Sequence, residues 1–309
     1  MINTCDVEVS VIVAAYNQWR HLRALLDCLR GQRGCNFEVL ICDDGSSADM
    51  LAEVRQCDGL DIRYLWQPDA GFRLARSRNN GVRCARGRVL LFVDADEVFG
   101  PDFVAQHAAM HPHGERRLIS GCRRPAEVVG AEADIDVAAL WNEMEHWPPS
   151  PEAQWVRNWT QRPSNWMGII GGNFSATRSD AVVFDEDFIG WGYEDSELGY
   201  RLVAHHGYKL SFAPDIVAVH LYWNGESPTE NPIATGRPDA ADELLQRALL
   251  FARKHPEMDV EATIPALRFM ALDEATGHWT WDDGREPRPV CQVLDEIERF
   301  AHQTRQASR

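Results

Sequence analysis

Residues 88 to 97, Arg-Val-Leu-Leu-Phe-Val-Asp-Ala-Asp-Glu, constrain the fold more than any other stretch. The apolar run is continuous rather than alternating, which predicts a strand buried on both faces, as in a parallel sheet covered by helices. It stops abruptly at Asp94 and Asp96, one residue apart. The carboxyl end of a strand in an open α/β sheet is where ligands bind. An extended chain points both acids to the same side, where oxygen ligands suit magnesium or manganese bridging to substrate phosphates. The alternative is a surface turn, since Asp is common after strands.

The segments before this run supply the rest of such a sheet. Val7 to Ala15 is a Val/Ile-rich strand, and Trp19 to Arg30 carries Leu22, Leu25, Leu26 and Leu29 at helical spacing. Phe37 to Cys42 predicts a second strand running into Asp43-Asp44-Gly45-Ser46-Ser47, where Ser46 or Ser47 can cap a helix reaching about Gln56. Ile62 to Trp66 is a third strand, followed by a turn at Pro68 to Gly71 and a helix from Leu74 to Ala85. This alternation argues for a right-handed, mostly parallel sheet flanked by helices.

Beyond the acid pair the rhythm changes. Pro101 opens a helix, Arg117 to Cys122 reads as a strand, and residues 125 to 168 mix a helix at Val137 to Glu145 with Pro and Trp punctuation. A helix is expected at Glu194 to His205 and a strand at Lys209 to Leu221. Mainly helical patterns follow over Ala240 to Ala271 and Val290 to Gln303. Two regions are expected, 1–224 and a helical extension 225–309, the first divided into a nucleotide-binding half of about 1–100 and an acceptor half of about 101–224.

Composition limits the partners. The 309-residue chain carries 31 basic and 47 acidic residues, a formal charge of −16, which argues against nucleic acid or an anionic membrane surface. Its 8 cysteines contain no C-x-x-C pair and suit a reducing compartment. No window reaches the roughly 18 to 20 apolar residues needed to span a bilayer, and the N-terminus has no basic region, so a cytoplasmic protein is expected.

Four clusters carry candidate chemistry. Ala15, Tyr16 and Asn17 with Asp43 and Asp44 all stand at carboxyl ends of neighbouring strands and should converge on one crevice. There a carboxylate can accept the imide hydrogen of a uracil ring while Tyr16 offers a stacking face; strand-to-helix turn chemistry is the alternative. Residues 71 to 81 place Arg73, Arg76 and Arg78 close together in an otherwise acidic chain, and Arg73 and Arg76 share a helix face from which they could reach phosphate. Gly190-Trp191-Gly192-Tyr193 leads straight into Glu194 and Asp195 at a helix start, where the macrodipole favours carboxylates and lowers their basicity. A base working near neutral pH there needs compensation from burial or from the neighbouring acid. His220 ends a strand, and if that strand finishes near Asp96 the two side chains plus phosphate oxygens form a plausible manganese shell.

Taken in order, Val9 to Asn17, Asp43-Asp44-Gly45-Ser46, Gly71-Phe72 through Gly81, Asp94-Ala95-Asp96, Gly171-Gly172-Asn173-Phe174, Gly190 to Asp195 and His220-Leu221-Tyr222 resemble the GT-A-fold glycosyltransferases. The resemblance is to the inverting family 2 group, with a C-terminal half like the galactosyltransferases and polypeptide N-acetylgalactosaminyltransferases. It implies a Rossmann-like GT-A sheet with a helical C-terminal extension. It also implies transfer of a hexosyl or N-acetylhexosaminyl group from a nucleotide sugar, a UDP-sugar by preference, to an acceptor hydroxyl by single displacement. By that resemblance Ala15, Tyr16 and Asp44 hold the base with Asp43 close by, and Arg76 lies near the base or diphosphate. Asp94 faces the ribose or donor sugar, and Asp96 and His220 bind Mn2+ or Mg2+. Asp195 is the base, with Glu194 and Trp191 shaping the sugar site. Some relatives have a methionine ligand where this chain has Val217, which cannot coordinate.

Tryptophans between 141 and 166 suggest a sugar-binding wall with a movable loop. The acceptor class, whether glycan, lipid, peptide or small molecule, stays open, as does the role of residues 225–309 in packing, oligomer contact or acceptor recognition. A sugar-1-phosphate nucleotidyltransferase and a non-catalytic sugar-nucleotide-binding module are the rivals. The first normally needs a glycine-rich basic loop after strand one, where this chain has Ala14 to Trp19.

Overall fold

The structure, a computed structural model, describes residues 7–128, 135–144, 157–158, 161–162, 164–169, 171–223, 240–273, 278–281 and 286–307. Its chain divides into two compact units, Met1–Ile189 with Glu194–Pro228, and Gly190–Tyr193 with Thr229–Arg309. The first opens with β1 (Val9–Ala15), α1 (Trp19–Arg30), β2 (Phe37–Asp43), α2 (Ala48–Val54), β3 (Ile62–Trp66), α3 (Leu74–Cys84) and β4 (Val89–Asp94). It continues through β5 (Glu97–Phe99), α4 (Phe103–Ala109), β6 (Arg117–Val128), α5 (Val137–Met144), β7 (Phe174–Thr177), α6 (Glu194–Ala204) and β8 (Lys209–Trp223).

These strands form one sheet in the order β3-β2-β1-β4-β7-β6-β8-β5. The first four are mutually parallel, the arrangement that right-handed strand–helix–strand crossovers produce. Strand β7 then runs antiparallel to both β4 and β6, so the sheet continues past the nucleotide-binding half as a mixed sheet. Both faces of β1 and β4 are covered, which explains their unbroken apolar sequence. On one face Leu22, Leu25, Leu26 and Leu29 of α1 are buried, each contributing about 1.5–3 kcal/mol of apolar burial. On the other, Phe92 stacks on Phe174 with ring centroids 4.5 Å apart and meets Phe184 edge-on.

In the first unit two strands lie outside the sequence expectation. Glu97–Phe99 and Phe174–Thr177 have 3 and 4 residues, too few for a hydrophobic period to register. The second unit holds α7 (Ala240–Lys254), α8 (Val260–Thr263), β9 (Met270–Asp273), β10 (His278–Trp281) and α9 (Val290–Ala307). The helical pattern expected through Ala271 therefore ends early, and Met270–Asp273 pairs antiparallel with His278–Trp281. Of the tryptophans expected to line a sugar-binding wall, Trp147, Trp155 and Trp159 fall outside the described residues. Trp141 packs against Gly100 and Trp166 meets Tyr200 edge-on at 5.1 Å. Cys28, Cys35, Cys42, Cys57, Cys84, Cys122 and Cys291 are free thiols. Among the described residues no helix is long and apolar enough to cross a membrane.

The amino ends of the central strands are tied by one buried acid. Glu38 Oε1 accepts from Ser10 Oγ at 2.6 Å and from the Arg86 backbone N–H at 2.7 Å. Its Oε2 accepts from Arg86 Nε at 2.8 Å and from Arg63 Nη2. Burial pulls this carboxyl's pKa upward, and the bonds from Ser10, Arg86 and Arg63 outweigh it, leaving the group below the ordinary glutamate value. The stabilisation is thus present above the unfolded pKa and lost as pH falls. Glu38→Gln should lower unfolding stability at pH 7 by about 3 kcal/mol, because two arginines lose the charge they face. Denaturant midpoints should show the gap between wild type and variant closing below about pH 4.3.

Candidate active site

Every strand of the parallel half ends in a residue with a defined task. Asp43, at the tip of β2, is fully buried, and its Oδ1 accepts the N–H groups of Gly45 at 3.0 Å and Ser46 at 2.7 Å while Tyr64 O–H donates to Oδ2. That carboxylate is committed to the turn. Asp44 is the open one of the pair. Its Oδ1 accepts from Gln67 Nε2 at 2.6 Å and its Oδ2 from the Arg73 N–H at 2.6 Å. Asn80 in turn donates to Gln67 Oε1 at 2.9 Å, so the carboxylate is held from behind. Burial raises the Asp44 pKa, opposed by the donors from Arg73 and Gln67.

The Ala15 carbonyl accepts the Asp44 N–H at 3.0 Å, joining the β1 and β2 tips. Tyr16, 46% exposed, donates to Asp69 Oδ2 at 3.1 Å, and Trp66 at the end of β3 is also exposed. Gly45, at φ 102, has no room for a side chain because a Cβ would run into the Asp69 backbone. Of the two serines expected to cap a helix, Ser47 takes the N-cap position of α2 without a side-chain bond, while Ser46 Oγ accepts the Asn17 N–H at 2.7 Å and Asn17 Oδ1 accepts the Ser47 N–H at 3.1 Å. Tyr16, Asp44 and Trp66 thus stand at the carboxyl ends of the neighbouring strands β1, β2 and β3.

A second group gathers at the tip of β4 around Arg78. This guanidinium is 1% exposed, donates through Nη2 to Asp94 Oδ1 at 2.8 Å and to the Gly171 carbonyl at 3.0 Å, and reaches Glu194 Oε1 from Nη1 at 3.3 Å. Asp195 Oδ1 accepts the Ser196 N–H at 2.7 Å. Its Oδ2 accepts no hydrogen bond among the described residues and stands over Gly171, where a Cβ would approach it to 3.1 Å. Burial and the adjacent Asp195 charge push Glu194 up to about 7 against the opposing Arg78 charge, and burial raises Asp195 as well. The pair therefore keeps a proton that the unfolded chain releases, so stability falls as pH rises from the ordinary glutamate value through that window.

Asp96 follows on the other side. Gln18 Nε2 donates to its Oδ2 at 3.1 Å, His220 Nε2 lies 3.4 Å from the same oxygen, and Oδ1 is buried with no hydrogen-bond partner among the described residues. Burial acts to raise this carboxyl, but the His220 hydrogen bond and the charges of His220, His21 and Arg123 hold it below the ordinary aspartate value. Glu97 pairs across the ladder with His220 and is fully buried. Burial first, and then the Asp94 charge, raise its pKa well above the ordinary glutamate value.

Comparison with known proteins agrees with this architecture. Residues 10–174 match the model of glycosyl transferase family 2, and residues 156–221 match the N-terminal domain of galactosyltransferase. Validoxylamine A glucosyltransferase of Streptomyces hygroscopicus subsp. jinggangensis is 30% identical over 94% of this chain and 71% of its own length. The chain belongs to glycosyl transferase family 2.

Hyaluronan synthase of Pasteurella multocida is a more distant relative of this glycosyltransferase, 28% identical over 69% of the chain and 24% of that much longer protein. Among solved structures, S. aureus TarS 1-349 in complex with UDP superposes with a TM-score of 0.56 at 16% identity, covering 84% of this chain and 69% of that one. The mannosyltransferase PcManGT from Pyrobaculum calidifontis, in complex with GDP-Man and Mn2+, gives 0.54 at 18%, covering 97% and 71%. These neighbours show the GT-A fold.

The structure thus brings together Asp94, Glu194 and Asp195 around one cation, and Asp96 with His220. Arg76 is exposed and makes no hydrogen bond or ion pair among the described residues. Trp191 lies in the segment Gly190–Tyr193 of the second unit, where Gly190, Gly192 and Tyr193 all have positive φ. Arg78, Gln18, Gln67 and Glu97 are contributors that sequence reading missed. For Arg78 a signal existed, because it sits midway between Ala75 and Gly81, two small residues on the buried helix face.

Gly172 tests the crowding. A Cβ there would come within 2.8 Å of Asp94 Oδ2 and closer still to Glu97 Oε1. Gly172→Ala should lower stability by about 1–3 kcal/mol through overpacking, read from thermal unfolding; an unchanged midpoint would mean that the acids have room to yield.

Proposed function

We propose that this family 2 glycosyltransferase moves a sugar from a nucleotide sugar, by preference a UDP-sugar, to an acceptor hydroxyl by inverting single displacement, with Asp195 as base. The observation that carries this reading is Asp195 Oδ2, raised in basicity by burial and free of hydrogen-bond partners among the described residues, beside the Arg78–Asp94 pair. A carboxylate fixed through one oxygen and open at the other can accept the acceptor's proton as the new glycosidic bond forms. Glu194 and Arg78 set its basicity and orientation; Trp191 is the proposed sugar-facing aromatic.

Asp44 supports the base assignment. It is acceptor-only, so it favours a ring N–H such as the uracil imide and repels a ring nitrogen with a lone pair. Tyr16 and Trp66 offer flat faces to the base, Ala15 contributes main chain beside it, and Asp43 holds the turn. Arg76, exposed at the start of α3, is free to meet diphosphate oxygens.

A divalent cation, Mn2+ or Mg2+, fits the residues present. Asp96 presents a buried carboxylate oxygen with no hydrogen-bond partner among the described residues, and the His220 imidazole stands beside it, a donor set that suits Mn2+. Those two residues would hold it, and the ion would neutralise the charge of the departing nucleoside diphosphate. The protein's own part is to position the donor, exclude water and take the acceptor proton.

Asp195→Asn should reduce kcat by about 100-fold or more, the contribution of a positioned base, while donor affinity measured by calorimetry stays within about twofold. Near-normal turnover would refute the base. Nucleoside diphosphate should appear in step with glycosylated product; pyrophosphate would indicate nucleotidyl transfer instead. Exhaustive chelation should abolish transfer, and activity that survives it would remove the Asp96 and His220 site.

A further inference from the structure

A second buried polar system, unconnected with proton transfer to substrate, lies behind the site. Its members are His107 on α4, His111 two residues past that helix, and Asn173, Ser175 and Thr177 on or next to β7. His107 Nε2 lies 2.9 Å from Asn173 Oδ1, and its Nδ1 lies 2.8 Å from Ser175 Oγ. His111 Nε2 is 2.7 Å from the same Ser175 Oγ, and its Nδ1 is 3.0 Å from Thr177 Oγ1. Thr177 Oγ1 also accepts the Arg117 N–H at 3.1 Å.

Chemistry fixes the direction of every bond. Asn173 Nδ2 donates to the carbonyls of Cys122 at 2.8 Å and Ile216 at 3.0 Å, so Oδ1 is the acceptor toward His107. His107 must then carry its proton on Nε2 and accept from the Ser175 hydroxyl through Nδ1. Ser175 Oγ accepts from His111 Nε2–H, and His111 Nδ1 accepts from the Thr177 hydroxyl. Both imidazoles are neutral in this chain. Burial keeps His107 at about 4, and burial with His107, Arg88 and Arg117 nearby keeps His111 at about 3.

What the chain holds is a break in the sheet. Strands β6 and β8 pair in parallel, but Ser120 faces Phe212 while Cys122 faces Val217, so residues 213 to 216 of β8 are accommodated opposite Gly121. Pro214 lies within that excursion, where a missing N–H is tolerated. The carbonyls of Cys122 and Ile216 flank it, and both are taken up by Asn173. Gly121 donates its N–H to the Asn173 carbonyl at 2.9 Å, and a Cβ at 121 would strike the Asn173 amide. Past the break, the new register sets His220 opposite Pro125 on one side and Glu97 on the other. A slip by one residue would turn His220 to the opposite face of the sheet.

We propose that His107 is a positioning residue: through Asn173 it locks the β6–β8 bulge, and thereby fixes the register that holds His220 beside Asp96. A fully satisfied buried network specifies one arrangement where an apolar filler would allow several. The cation-binding consequence rests on the proposed role of Asp96 and His220; the lock itself does not.

The test compares His107→Leu with His107→Gln, which keeps an N–H for Asn173. Mn2+ binding is measured by electron paramagnetic resonance in the absence of nucleotide, and amide hydrogen exchange is followed over residues 216–221. His107→Leu should weaken Mn2+ about tenfold, as disturbing groups behind a metal ligand does, and speed exchange across the bulge, with His107→Gln restoring most of both. Long-range 1H–15N spectra of the wild type should show both rings as the Nε2–H tautomer. Unchanged exchange in a folded His107→Leu protein, or an Nδ1–H tautomer at His107, would overturn the lock. If the wild type binds no Mn2+ while exchange responds as expected, the cation reading fails and the lock stands. Should His107→Leu not fold, Ser175→Ala, which strips the donor from His107 Nδ1, gives the same comparison, and unaltered exchange there would also overturn the lock.

Discussion

One buried guanidinium organises the catalytic end of the sheet. Arg78 is almost fully buried, and it reaches Asp94 on β4, Glu194 on α6 and the Gly171 carbonyl before β7, three elements far apart in sequence. Withdrawing a guanidinium from water is unfavourable unless acids and carbonyls replace the solvent. The acids repel one another just as strongly without it. Each therefore makes the others tolerable, and the arrangement fixes the distances at which chemistry can occur. Gly171 and Gly172 are the steric counterpart, since side chains there would press into Asp195, Asp94 and Glu97.

Electrostatics divides the carboxylates by task. Asp43 is consumed by a turn, Asp44 is an oriented acceptor, and Glu97 is a fully buried acid whose pKa burial raises. Asp96 is held below the ordinary aspartate value by His220 and its surroundings, whereas burial raises both Glu194 and Asp195 and the Asp195 charge raises Glu194 further. Asp96 is lowered while Asp44, Glu97, Glu194 and Asp195 are raised, because their neighbours differ. That separation fits the proposed division between holding a cation and accepting a proton.

Much of this was legible in the sequence. Uninterrupted apolar strands ending in Asp or Tyr identified the parallel half and its carboxyl edge, whereas the order β3-β2-β1-β4 is read from the structure. The acid pair at 194–195 and His220 stood out for their positions at element ends. Side-chain direction was less accessible. Arg76 and Arg78 look equivalent in a basic helix, and only the face pressed against Ile12 and Cys42 through Gly81 reveals which one turns inward. Strands of 3 and 4 residues carry no period, so the route by which β8 meets Glu97 could not be read. Nor could the bulge at Gly121, which depends on an asparagine more than fifty residues later in the chain.

The central claim is that burial around Arg78 makes Glu194 and Asp195 a basic pair. Carbon-13 labelling of the glutamate and aspartate carboxyls, followed by NMR across pH 3 to 9 in the wild type and in Arg78→Met, tests it directly. The account predicts that the wild-type pair retains a proton up to about 7, and that removing the guanidinium shifts the step upward. Titration of both acids near about 4, the ordinary carboxylate range, with no response to Arg78, would contradict it.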